Sequence, residues 1–74
     1  MKICQISRAY LQAAAGSGQR SGQFRIISAG GAVMATFGSE APGTIYIVPV
    51  RDWAAGVYYV QYLEEVRCGR WRGL

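Results

Sequence analysis

Glycine spacing is the feature that most narrows what this chain can fold into. Gly16, Gly18, Gly22, Gly30, Gly31, Gly38, Gly43 and Gly56 interrupt it every few residues, with short apolar runs between them. That pattern argues against helices and marks turns between short strands. The one helix-permissive stretch, Ala9 to Ala15, is about two turns long and ends at Gly16-Ser17-Gly18. An isolated helix of that length is marginal in water, so an extended segment is expected there.

The apolar runs supply the strands. Residues 2–7 place Ile3 and Cys4 among polar neighbours, and a weaker strand is expected around 10–14. Phe24 to Ala29 sets Phe24 and Ile26 opposite Arg25, and Ala32 to Phe37 returns as its partner. Gly30-Gly31 between them is expected to form a two-residue hairpin turn, because glycine accepts the positive φ angles that primed turns need. Residues 16–22 and 38–43 read as polar loops. Thr44 to Val50 is β-branched and aromatic throughout, with Tyr46, Val48 and Val50 on one face. Pro49 cannot donate to a ladder, which points to an edge strand or an outward-facing nitrogen. Val57 to Leu63 alternates Tyr58, Val60 and Tyr62 against Val57, Tyr59, Gln61 and Leu63, and a last strand covers about Val66 to Trp71. Six to seven short strands read as a single compact antiparallel β-sandwich, all-β and Ig-like.

With 74 residues there is room for one thin core, of the size that usually needs a staple or a partner. Cys4 and Cys68 lie near opposite ends. They would form a disulfide if the terminal strands are neighbours in an oxidising compartment, and otherwise stand as two buried free thiols. The chain has no histidine, which removes histidine-based catalysis and histidine-containing metal sites. Two cysteines alone do not make a standard zinc site. Glu64 and Glu65 are adjacent, so in a strand they point to opposite faces and do not act as a carboxylate pair. The glycines at 16–22 lack the lysine-serine ending of a phosphate loop. No enzyme, cofactor or metal site is therefore expected. The net charge of +4 collects toward the end of the chain, at Arg67, Arg70 and Arg72. Residues 1–8 are broken by Gln5, Ser7 and Arg8 and do not read as a signal peptide, so an exported form would take its export signal from upstream.

The most informative stretch is Val48-Pro49-Val50-Arg51-Asp52-Trp53-Ala54-Ala55-Gly56-Val57-Tyr58-Tyr59-Val60. Its reading is a strand with Val48 and Val50 inward, a turn, Trp53 as a plug over the core, a corner that Gly56 permits because a Cβ would obstruct it, and a strand returning Tyr58 and Val60. This resembles the C-terminal sorting domain of type IX secretion cargo (the Por secretion tail family). That family's alternating strand is followed by Leu-Pro-Ala-Gly-Val-Tyr, and here Trp53-Ala54-Ala55-Gly56-Val57-Tyr58 stands in those positions, with alanine for the proline. Phe24 to Met34 is similar to the family's preceding hairpin, and the resemblance runs over residues 10–72. Residues 10–74 are thus expected to be the sorting-type sandwich, with residues 1–9 either a leader or a first strand.

The resemblance implies a non-enzymatic secretion signal, recognised in the periplasm by the type IX outer-membrane translocon. A sortase-like protease would then remove it as the cargo reaches the cell surface or the medium. Val48, Val50, Trp53, Gly56, Tyr58 and Val60 would form the fold and recognition motif. Arg67, Arg70, Trp71 and Arg72 would form the translocon-recognition tail. An exposed strand edge and the basic last strand are the expected reading surfaces, and such an edge also permits a homodimer. No small-molecule substrate is implied. Two other classes fit the residues: a structural or adhesive Ig-like module of a bacterial surface protein, and a small basic nucleic-acid-binding β domain. The second draws on the aromatic Trp71 among arginines. It is disfavoured because the arginines cluster at one end.

Overall fold

The computed structural model describes residues 3–14, 22–39, 45–62 and 65–73, and every regular element among them is a strand. The order is β1 (Ile3–Ser7), β2 (Tyr10–Ala14), β3 (Gly22–Ser28), β4 (Val33–Ser39), β5 (Ile45–Pro49), β6 (Gly56–Gln61) and β7 (Glu65–Trp71). The expected loop residues 16–21 and 40–43, and the expected strand positions Lys2, Thr44 and Leu63, lie outside the described residues, as does Glu64.

The strands form two antiparallel sheets, β1-β2-β5 and β4-β3-β6-β7. Within the helix-permissive stretch, Tyr10–Ala14 forms the central strand of the smaller sheet. β2 is paired on both flanks, and Leu11 and Ala13 point into the core. Two ladders of backbone bonds outweigh the modest helix preference of alanine. β5 is an edge, as Pro49 implied. Both sheets contribute inward residues to one core, in which Leu11, Ile26, Val50 and Val60 are fully buried. This is a sandwich-like arrangement of two layers.

Different chemistry closes the two sides of the sandwich. On one side β1 and β7 lie next to each other and are joined by the Cys4–Cys68 disulfide, with Cα atoms 4.6 Å apart. On the other side Tyr46 of β5 stacks on Phe37 of β4 at 4.5 Å, and its hydroxyl donates to the Gly38 carbonyl. The stack continues inward from Phe37 to Phe24 (5.6 Å) and from Phe24 to Tyr62 (4.6 Å). A covalent bond thus holds one seam and an aromatic stack the other.

Two β-bulges set which side chains face inward. In β7 the pairing shifts so that Tyr58 opposes Gly69 and Tyr59 opposes Arg67, leaving Cys68 as the extra residue. In β4 the shift falls at Met34, between the partners of Ile26 and Ile27. An extra residue reverses the two-residue alternation beyond it. As a result Val33 is exposed while Met34 packs against the core, and Arg70 is exposed while Trp71 is buried.

The β3–β4 turn differs from the expected two-residue hairpin. Ser28 N–H donates to the Ala32 carbonyl and Gly31 N–H to the Ser28 carbonyl, both at 2.9 Å, so the loop has three residues, Ala29 to Gly31. Only Gly31 takes a positive φ, at 92°, and the Ser28 hydroxyl accepts the Ala32 amide at 3.1 Å. The serine side chain satisfies a donor near the loop, and the longer loop needs one left-handed residue rather than two.

Candidate functional site

The motif around Trp53 is one packed unit. As β5 ends, the Val50 amide donates to the Ala9 carbonyl at 2.9 Å, and the Trp53 amide returns to the Val50 carbonyl at 2.9 Å to close a turn. That turn drops the Trp53 ring against Tyr58, with centroids 5.0 Å apart and planes tilted by 48°. The Tyr58 hydroxyl donates to the Ala54 carbonyl, four residues upstream, at 2.5 Å. The Trp71 indole N–H donates to the Trp53 carbonyl at 3.0 Å, tying β7 to the same turn. Burial of two polar-tipped aromatics is tolerable because each tip has a backbone acceptor.

Val48, Val50, Trp53, Gly56, Tyr58 and Val60 are therefore brought together. Val50, Tyr58 and Val60 are buried, and Val48, Trp53 and Gly56 are half-buried. A partner touching this region would meet the exposed Arg51, Asp52, Ala54 and Ala55. The expected role of Gly56 needs correction. Gly56 has no positive φ, and a Cβ built there meets nothing within 4 Å. The corner is made by the hydrogen bonds of Val50, Trp53 and Tyr58, so it does not require a glycine at 56.

The basic tail divides. Arg67, Arg70 and Arg72 are exposed, whereas Trp71 is 5% exposed and belongs to the core. Trp71 is not available to stack on a nucleic-acid base, which removes the aromatic that favoured that class. Arg67 and Arg70 stand with Arg25 and Glu65 on the outer face of the four-stranded sheet, where Gln61 lies between Arg25 and Glu65. The edge of β7 is also not the open one, since β1 lies beside it and the disulfide spans the gap. Among the described residues β1, β4, β5 and β7 each have one ladder; β1 and β7 lie against each other at the disulfide, which leaves the edges of β4 and β5.

The opposite face was missed by the sequence reading. Gln5, Ser7, Tyr10, Gln12, Ala14, Ile45, Ile47 and Pro49 line the outside of the three-stranded sheet, with no charge among them. Two shallow grooves of about 350 and 220 Å³ run over it, one between Tyr10 and Ile47 and one between Gln5 and Ile45. The available signal was β5 itself, which is apolar at both phases of the strand period. Among the described residues no group of three His, Cys, Asp or Glu side chains could hold a metal. Comparisons of the chain with family models, with curated proteins and with solved structures gave no match.

Proposed function

We propose that this chain is a non-enzymatic sorting module of the type IX kind, read by the outer-membrane translocon after export to the periplasm. The observation that carries the reading is the coupling of the motif to the last strand. The Trp71 indole is bonded to the Trp53 carbonyl, so β7 is tied to the motif's turn, while its Arg67 and Arg70 stand on the outer face of the same sheet and are exposed with Arg72. A receptor that reads the arginines then reads them only on a folded domain. The tyrosine hydroxyl returning to an upstream carbonyl, in a domain of two antiparallel sheets, supports an Ig-like sandwich. The Cys4–Cys68 bond supports an oxidising compartment, here the periplasm and then the cell surface or medium. A sortase-like protease would separate the module from its cargo.

A second reading, a structural or adhesive surface module, is favoured by one observation, the uncharged grooved face of the three-stranded sheet. The test fuses the whole chain behind a periplasmically exported fluorescent protein in a type IX-competent bacterium. Deleting the last strand would remove Cys68 and Trp71 and unfold the domain, so the informative variant replaces Arg67, Arg70 and Arg72 by glutamine. Export of the parent fusion, lost in the variant and in a translocon-deficient strain, is expected. A folded parent fusion that stays in the periplasm would overturn the sorting reading and leave the surface module.

A further inference from the structure

The outer edge of β5 is self-complementary. The Val50 amide bonds to Ala9 on the β2 side. Backbone groups alternate sides along a strand, so Val48 and Tyr46 also face β2, while Ile45, Ile47 and Pro49 aim theirs at the open edge. No described strand pairs with that edge. The Ile45 and Ile47 side chains are 56% and 63% exposed on the uncharged outer face.

We propose that this edge pairs with the same edge of a second copy of the chain, β5 antiparallel to β5 about a two-fold axis at Tyr46. The register follows from the residues. With the two Tyr46 positions opposite each other, each Ile45 faces the other copy's Ile47, and each such pair exchanges two backbone bonds, making four. Pro49, which has no N–H, falls outside the paired stretch. An axis at Ile47 would instead set Ile45 against Pro49 and forfeit a donor at each end. The chosen register also aligns the four isoleucines as two cross-strand pairs on the outer face, an arrangement that stabilises antiparallel sheets. Each three-stranded sheet becomes half of a continuous six-stranded one, with a closed isologous interface.

Net charge opposes self-association, and it does so least at the β5 edge. The chain carries +4, and Arg25, Arg67 and Arg70 project from the other sheet. Pairing through β5 joins two like-charged molecules on the face whose described outward residues carry no charge. The open edge of β4 offers no equivalent, because Thr36 there sits directly beside Arg25. Two five-residue strands bury less than the roughly 1,200 Å² of a standard specific interface, so half-association is expected at about 0.1–1 mM chain. The pairing does not depend on the sorting reading.

The test is sedimentation equilibrium of the oxidised 74-residue chain from about 10 μM to about 2 mM, with amide exchange by NMR at both ends of that range. A dimer at the upper end, with exchange at Ile45 and Ile47 slowed at least about threefold, is expected. Ile47→Lys should leave the chain folded, since the position is exposed, and should abolish the dimer. Tyr10→Lys, on the same face but away from the edge, should keep it. A monomer at the highest concentration would overturn the proposal, as would unchanged exchange at Ile45 and Ile47. So would a dimer lost in Tyr10→Lys and kept in Ile47→Lys, because that pattern means stacked faces rather than paired edges.

Discussion

Reducing the Cys4–Cys68 bond should remove about half of the folding stability of this domain. The bond joins residues 64 apart in sequence. In the chain-entropy model, opening a loop of that length returns about 14 cal/mol/K to the unfolded ensemble, or about 4 kcal/mol at 25 °C. A single core of fewer than about 80 residues seldom supplies more than about 3–5 kcal/mol in total. The staple thus adds about as much as the core does, so the reduced chain is expected to keep no more than about 3–5 kcal/mol. Structure gives a further reason for a large effect. β1 pairs only with β2, and the disulfide spans the seam where it meets β7. The assay is urea unfolding of oxidised and reduced protein, followed by fluorescence of Trp53 and Trp71, both packed at the turn. With a slope of about 1 kcal/mol/M, the midpoint should fall by about 3–4 M. Chemical reduction is preferable to substitution because it leaves both sulfurs in place and changes only the bond. A shift of less than about 1 M would refute the reasoning, showing that the aromatic seam and the core suffice without the staple.

Other substitutions test separate parts of the structure. Gly56→Ala should be neutral or stabilise by up to about 1 kcal/mol, while Gly31→Ala should destabilise by about 1 kcal/mol because Gly31 has a φ of 92°; thermal denaturation of the pair gives the comparison. Tyr58→Phe should cost about 0.5–1.5 kcal/mol through loss of the bond to the Ala54 carbonyl, measured by urea midpoint. Leu11→Ala removes a fully buried side chain from the shared core and should cost about 2–5 kcal/mol, with loss of the near-ultraviolet dichroism of the packed aromatics even in the oxidised chain.

Strand identity was legible along the chain because it depends on local pattern. The alternation of Tyr58, Val60 and Tyr62, the β-branched run before Pro49, and the missing donor of Pro49 are each readable from neighbours in sequence. The seven strands among the described residues lie within two residues of their expected bounds. Trp53, Gly56 and Tyr58 also stand out in an apolar context, and Trp53 and Tyr58 pack against each other. What they do was only partly legible. Gly56 reads as a conformational necessity until the hydrogen bonds show the turn is built elsewhere.

The sequence by itself therefore determined that the chain makes short strands, where they begin and end to within two residues, and that Pro49 lies on an edge strand or has its nitrogen facing outward. These are consequences of backbone sterics and of side-chain period within a few residues. The β3–β4 pairing was legible at Gly30-Gly31, but tertiary structure alone decided how the other strands are placed, and hence that Cys4 meets Cys68 across a separation of 64 residues. It also decided which way the last strand faces. Carried from Val66 by strict alternation, Arg70 would point inward and Trp71 outward. The bulge at Cys68 reverses that phase, burying Trp71 and leaving Arg70 in solvent. A bulge arises from how two strands are held against each other and against the opposite sheet, so its position is settled only when the layers pack.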